Sequence, residues 1–440
     1  GLALFLALAV SYRGVAPLKG AVYLGFMAGM AGVGLLPYLA DHLLAPRLPG
    51  FVSTLVFPLA WTSLEFLGSR ANPFGTWGSL AYSQYGNLSL MQLASVTGIW
   101  GITFLITWFG AVANWVWECQ FAWETVGPGL TVFLSLLGLV VLFGGMRLAL
   151  TPMPAASVRV AGIGWPDTIM GMEQMGRVFA PSWPDAERSA QRATYRRLQD
   201  YFLASAGREA GAGAGIILTP EASVVALREE EFELLARASQ LARDEGVYLL
   251  LGMAVIRLGD ARPVENKAVL IEPSGAPRFA YVKASAVPGL EARTNVRGEW
   301  KIPTAETPLG RLAAAICFDL DFPPYLRQAG QAGADLLLVP ASDWKEIAVL
   351  HHVPAVFRAI ESGASMVRVA RWGMSAAVDP LGRPLAMMDH FAVKDRVMVA
   401  QVPAGGVRTI YSRIGDTFAW LCLVALAALL YHALRSPAPG

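Results

Sequence analysis

Up to Leu150 the chain runs through long apolar stretches with brief polar interruptions, and beyond that point short apolar segments alternate with charged ones. A helix needs roughly 20 consecutive apolar residues to cross a bilayer. Residues 21–40, 91–116 and 130–150 meet that length and predict membrane-crossing helices. Residues 51–67 form a shorter candidate with Glu65 near its end, and residues 417–434 make a C-terminal span. Several of these runs are apolar on every face, which sets them apart from the one-sided helices of a soluble protein. The run at 2–10 is too short to cross alone. With Gly1 rather than Met at the start and no basic segment ahead of it, it reads as the end of a truncated helix rather than a signal-peptide core.

From about Ser157 to Arg413 the pattern is that of a globular domain. SVRVAG (157–162) alternates as a first strand, and residues 186–206 make a charged helix. IILTPE (216–221) is a short strand ending at Glu221, followed by an amphipathic helix over 229–245 and the strand VYLLLGMAV (247–255). NKAVLIE (266–272) and RFAYV (278–282) form a strand pair across the turn PSGAP. RLAAAI (311–316) is a strand that ends at Cys317. A helix over 324–332, the strand DLLLVPAS, a helix over 351–362 and the strands SMVRVA and SAAVDP close the series. Alternating strands and helices predict an α/β domain. The organisation expected is therefore a helical transmembrane bundle over 1–155, a catalytic domain over 156–412 and a last transmembrane helix over 413–440.

Composition agrees with a protein partly dissolved in lipid. Of 440 residues 55% are hydrophobic and 15% charged, against about 25% charged in soluble domains. A net charge of +2 argues against a nucleic-acid partner. Three cysteines, two of them in or beside apolar runs, offer no disulfide framework. The five histidines show no metal-site spacing, so no metal is expected. The adjacent His351 and His352 point about 100° apart on a helix and read as surface or packing residues. Counting crossings puts Arg13, Lys19 and Arg70 on the globular domain's side, with Arg47, Arg435, Asp41, Glu118 and Glu124 opposite. By the rule that basic residues collect in the cytoplasm, this slightly favours a cytoplasmic domain.

Three residues carry the chemical expectation. Glu221, Lys283 and Cys317 each fall at the C-terminal end of a predicted strand, the edge where α/β sheets bind ligands. A cysteine attacks as the thiolate, which a nearby ammonium group stabilises. A carboxylate in reach takes the thiol proton and returns it to the leaving group. The lysine also stabilises the oxyanion of a tetrahedral intermediate.

The segments LTPEAS, AYVKAS and AAICFDLDFP resemble the nitrilase, or carbon-nitrogen hydrolase, superfamily, and the likeness extends through DLLLVPASDW and VFRAIESGASMVRVARWG to VDPLGRP. That resemblance implies an αββα sandwich. The bundle segments AWTSLEFLGSR, NPFGTWGSLAYSQ and LMQLASVTGIWGITFL resemble the apolipoprotein N-acyltransferase family, which joins a helical bundle to such a domain. The family's lid carries a further essential glutamate in a Lys-x-x-x-Val-Pro-x-x-Glu pattern, matched here by KASAVPGLE, so Glu291 is implied as a fourth catalytic residue that orients Lys283 or relays a proton.

By the resemblance, Cys317 takes an acyl chain from a phospholipid as a thioester and passes it to the N-terminal amine of a diacylglyceryl lipoprotein. No cofactor is implied. Phe318 and Trp344 are candidates for substrate contact, while Trp165 and Trp344 are each open between an acyl channel and the core. The resemblance also implies a multi-pass protein of the bacterial inner membrane with the domain in the periplasm or outside the cell. The sequence departs from the family where acyl chains should lie: the lid between Glu291 and Cys317 is short, Phe318-Asp319 stand for Tyr-Glu, and Lys345-Glu346 replace an apolar segment. An amidase or an acyltransferase for another amine is the alternative, and a non-catalytic membrane scaffold a third reading.

Overall fold

The computed structural model describes residues 1–16, 18–154, 156–174 and 185–435. The chain divides into two compact units, one formed by Gly1–Thr151 with Arg413–Gly440 and the other by Pro152–Ser412.

In the first unit, among the described residues, five helices are long and apolar enough to cross a membrane: Gly20–Arg47, Gly50–Ala71, Ile99–Glu118, Trp123–Leu150 and Thr417–Arg435. The run at 91–116 is not one helix. Gly98 adopts φ +64° and ψ −166°, a conformation open essentially to glycine, and separates the short helices Leu88–Met91 and Ala94–Thr97 from Ile99–Glu118. The span holding Glu65 is a helix throughout, and its acid is satisfied inside the bundle. Oε1 accepts from Trp61 Nε1 (3.1 Å) and the Leu80 amide (2.9 Å), and Oε2 accepts from the Ser79 and Thr103 hydroxyls (both 2.8 Å). Asp416, ahead of the last helix, accepts from Arg70 and from Trp100 Nε1, each at 2.8 Å.

The second unit is built on two sheets. Its strands are β1 (Ser157–Ile163), β2 (Ile216–Leu218), β3 (Val224–Leu227), β4 (Tyr248–Ile256), β5 (Val264–Ile271), β6 (Pro277–Val282) and β7 (Thr304–Thr307). They continue with β8 (Gly310–Ala314), β9 (Leu336–Ser342), β10 (Ser365–Arg371), β11 (Met374–Val378), β12 (Pro384–Asp389) and β13 (Val397–Pro403). One sheet has the order β13-β1-β2-β4-β5-β6 with β3 also on β4; the other runs β12-β11-β10-β9-β8-β7. Each has a parallel centre, β1-β2-β4 and β8-β9-β10, flanked by antiparallel strands.

All nine residues of β4 are buried, as a strand covered on both faces requires. The sheets pack on each other so closely that a Cβ on Gly162 of β1 would lie 2.5 Å from Val369 of β10. Helices Asp185–Gly211 and Glu231–Glu245 cover the first sheet, where Leu198, Phe202, Leu234 and Ala238 meet Ile217, Leu249 and Leu251. Helices Pro323–Gln331 and His352–Ser362 accompany the second sheet. The result is an αββα sandwich. β3, β7, β12 and β13 are strands that the sequence pattern had not singled out.

Candidate active site

Each predicted residue stands just past a strand end, though two strands stop short of the expected points. β2 ends at Leu218, and the chain turns through Thr219 and Pro220 to Glu221, whose amide donates to Ala341 O of the other sheet (3.2 Å). β6 ends at Val282, immediately before Lys283. β8 ends at Ala314, and Cys317 opens a short 3-10 turn, Cys317–Asp321. Cys317 and Ala222, the residue after Glu221, both have φ +47°. That conformation costs a non-glycine residue about 1–3 kcal/mol and persists only where surrounding contacts fix it. Around Cys317 those contacts are in place: Asp319 Oδ2 accepts from the Ile316 amide (2.9 Å) and from Tyr281 (2.7 Å), and Oδ1 accepts from the Ser285 amide (2.9 Å).

Glycines allow close approach at the Glu221 and Lys283 turns and at the Asp343 side chain. A Cβ on Gly252 would meet Pro220 O at 2.0 Å, one on Gly298 would meet Val282 O at 1.9 Å, and one on Gly373 would meet Asp343 Oδ2 at 2.0 Å.

Lys283 is the centre of the group. Its Nζ donates to Glu221 Oε1 at 2.7 Å and lies 3.0 and 2.9 Å from the two oxygens of Glu291. Asn266 Nδ2 donates to the same Glu221 oxygen at 2.6 Å, and the Val287 amide donates to Glu291 Oε2 at 2.9 Å. The Glu221 and Lys283 side chains are 3% and 2% exposed, so neither charge is relieved by water, whereas Glu291 keeps 21%.

Electrostatics follows from this burial. Burial pushes Glu221 up, but Lys283, Arg371 and the two hydrogen bonds outweigh it and hold the carboxyl below its ordinary range. For Glu291 burial wins over Lys283 and the carboxyl is pushed up. Burial works against the Lys283 ammonium, yet Glu221, Glu291 and Cys317 keep it charged well above the ordinary lysine range. Burial and Glu221 push the Cys317 thiol up, opposed by Lys283 and His351. Burial raises Asp319 to about 6 against the pull of Lys283 and its hydrogen-bond donors.

His352 is buried, in keeping with the packing reading; that reading needs correction for His351, which is buried and lies in the site. Its Nδ1 is 4.0 Å from Cys317 Sγ and 2.8 Å from Asp343 Oδ1, and its Nε2 is 3.0 Å from Asp321 Oδ2. Cys317, Asp343 and His351 offer ligand atoms within 4.8 Å of one another, a set able to hold a metal. Arg368 Nη2, however, already lies 2.8 and 2.9 Å from the two Asp343 oxygens, so the group fits an ion-pair network better than a metal centre.

Asn266, Asp319, Asp321, Asp343, Arg368 and Arg371 were also missed. Their one signal in the sequence is a polar residue inside an apolar strand (Asn266, Arg368, Arg371), an acid directly after one (Asp343), or an acid in the turn that Cys317 opens (Asp319, Asp321). Arg371 donates to Ser342 Oγ (2.7 Å) and to Ala222 O (3.3 Å) and lies over the rings of Trp165 and Trp372. Trp165 is fully buried with its Nε1 on Met170 O (2.7 Å), which makes it a core residue. Phe318 is buried edge-on to Phe322, and Trp344 is half-buried beside Asp343.

Comparison with known proteins accounts for nearly the whole chain. The family model of the apolipoprotein N-acyltransferase N-terminal domain matches residues 1–112, and that of carbon-nitrogen hydrolases matches residues 174–411. The chain is 27% identical to the apolipoprotein N-acyltransferase of Geobacter metallireducens, over 93% of this chain and 82% of that one. It is 30% identical to the protein of the same name from Gloeobacter violaceus, over 91% of this chain and 75% of that one. Among solved structures it is similar to an amidase from Nesterenkonia sp., with a TM-score of 0.46 and 20% identity, covering 62% of this chain and 98% of that one.

Proposed function

Because the chain belongs to the apolipoprotein N-acyltransferase family, whose catalytic part is a carbon-nitrogen hydrolase domain, we propose that it moves an acyl chain from a phospholipid through a Cys317 thioester to the N-terminal amine of a diacylglyceryl lipoprotein. The observation that carries the reading is the convergence of Glu221 and Glu291 on the buried Lys283 ammonium, with Glu221 and Lys283 acting electrostatically on Cys317.

In the first half-reaction Glu221 takes the Cys317 proton as sulfur attacks the ester carbonyl. Lys283 stabilises the oxyanion, and the lysophospholipid oxygen leaves with the proton held by Glu221. In the second, the lipoprotein amine attacks the thioester, Glu221 takes the amine's proton, and the thiolate departs and is reprotonated. The thiol is pushed above its ordinary range, so free thiolate is scarce at neutral pH and the proton leaves as the bond forms. Glu221, held ionised by Lys283, is suited to receive it. Glu291 positions Lys283 from the opposite partner of the same ammonium. Both substrates are lipids, a physical reason to join this chemistry to five membrane-crossing helices. Phe318 and Trp344, aromatic residues next to Cys317 and Asp343 in the chain, are assigned to contact with the acyl group.

Mass spectrometry of the Cys317 peptide after incubation with phospholipid tests the scheme. Wild type should gain one acyl chain, Glu221→Gln should lose roughly 10²–10⁴ of the acylation rate, and Lys283→Ala about 10²–10³. A diacylated lipoprotein added next should gain the same mass. Release of free fatty acid with no gain on the lipoprotein would overturn the transferase reading in favour of hydrolysis.

A further inference from the structure

Lys283, Arg371 and His351 all act on the Cys317 sulfur, and the chemistry above uses only Lys283. Of the other two, His351 lies within 4.0 Å of Sγ. A neutral imidazole carries one N–H and can donate to one carboxylate. His351 faces two, Asp343 on Nδ1 at 2.8 Å and Asp321 on Nε2 at 3.0 Å, so both bonds are made only when the ring holds both protons. The charged and titratable groups around it are Cys317 and Asp321 from the 3-10 turn, Asp343 after β9, Arg368 on β10 and the adjacent His352. Arg368 Nη2 spans both oxygens of Asp343 and stands 3.2 Å from Nδ1. Burial would raise Asp343, but Arg368 and His351 hold it below its ordinary range, so the carboxylate that pins Nδ1 stays ionised. Burial likewise opposes a charged ring, and Asp321, Cys317 and Asp343 outweigh it, keeping His351 protonated well above the ordinary histidine range.

We propose that His351 is a positioning residue for this site: a fixed imidazolium, held between Asp321 and Asp343 at 4.0 Å from Sγ, that favours the Cys317 thiolate whenever sulfur carries charge. The inference rests on Cys317 being the nucleophile. With both N–H groups committed to carboxylates, the ring does not take the thiol proton; Glu221 does. The cation acts in both half-reactions, because sulfur gains charge on leaving the thiol and again when it is expelled from the thioester.

The test is the pH dependence of Cys317 alkylation in the full-length chain in detergent. Iodoacetamide is the reagent, and modification is read on the Cys317 peptide by mass spectrometry. His351→Gln should move the apparent thiol pKa up by about one unit, which lowers the rate roughly tenfold on the acid side of the profile. Asp321→Asn leaves the ring in place but removes the acid on Nε2, and should move the profile in the same direction by less. A His351→Gln protein with wild-type melting and an unchanged or downward-shifted profile overturns the proposal. Should that variant fail to fold, an unchanged profile in Asp321→Asn overturns it equally. Alkylation needs neither phospholipid nor amine, so absence of a thioester in the wild type would sink the transfer reaction while leaving this measurement decisive for His351.

Discussion

At the scale of single residues, the site is a balance of buried charges in which each group fixes its neighbour. Removing Lys283 leaves Glu221 without its ion-pair partner, and breaking so deeply buried a pair costs about 3–5 kcal/mol. Lys283→Ala should therefore lower the melting temperature of the catalytic unit as well as its rate, and calorimetry on the purified protein checks this. Asp319→Ala leaves the Ile316 and Ser285 amides and the Tyr281 hydroxyl without their shared acceptor, at roughly 1–3 kcal/mol for each group stranded. Since those bonds fix the turn at Cys317, acylation should fall together with stability. Glu221 gives a pH prediction. Its carboxyl is depressed in the fold, so the stability it contributes is complete above the unfolded glutamate pKa of about 4.3 and is lost as pH falls through the lower folded value. Glu291 is raised and works in the opposite sense, its contribution falling as pH rises through its folded value. Denaturant titrations of Glu221→Gln and Glu291→Gln against pH should show these two slopes removed in opposite directions. Glu221, Lys283 and Cys317 were legible in the sequence because their types suit thiol chemistry and each follows a predicted strand, whereas Glu291 entered only through the family's lid pattern. His351 was not: adjacent histidines on a helix diverge, and nothing local reveals that Asp321 and Asp343 arrive from two other segments.

At the scale of elements, the long strands and helices were legible and the short or edge ones were not. β4 and β9 are apolar runs that announce buried parallel strands, while β3 and β7 have four residues each, too few to show a period. β12 begins at Pro384 and exposes much of its length, so its pattern carries little signal. The split of the run at 91–116 has a different cause, since apolar residues continue through the break and only the conformation of Gly98 makes it. The glycines behind the site belong to the same category: each looks ordinary in the sequence, and its reason is a close approach from another segment, backbone at Gly252 and Gly298 and the Asp343 side chain at Gly373. Gly252→Ala places a methyl against Pro220 O and 3.1 Å from Glu221 Cα. The turn must shift, and since a misplacement of about 1 Å can cost on the order of 10²-fold in rate, this variant should acylate far more slowly while Cys317 still reacts with a small thiol reagent. Equal rates in Gly252→Ala and wild type would show that Glu221 tolerates displacement and is not the base.

At the scale of the whole molecule, the bundle fixes which helix ends share a membrane face. Glu65 lies in a spanning helix, where an acid would ordinarily prevent insertion, but four donors surround it, so the span at Gly50–Ala71 is sound. With Gly20–Arg47, Gly50–Ala71, Ile99–Glu118 and Trp123–Leu150 all crossing, Arg47, Glu118 and Trp123 share one face, while Ala71, Ile99, Leu150 and Thr417 share the other. The chain leaves the bundle after Thr151 and returns at Arg413, both next to that second face. The basic residues counted at the faces, Arg13, Lys19 and Arg70 against Arg47 and Arg435, only slightly favour a cytoplasmic catalytic unit. The family reading supplies the orientation as a proposal: inner membrane, catalytic unit in the periplasm. Cys119 tests it, because it follows Glu118 on the first face and is partly exposed, whereas Cys317 and Cys422 are buried. A membrane-impermeant maleimide applied to spheroplasts should leave Cys119 unmodified, and the same reagent should label it once the membrane is opened. Labelling of Cys119 in sealed spheroplasts would put the first face outside and the thiol chemistry of Cys317 in the cytoplasm, away from any lipoprotein already exported.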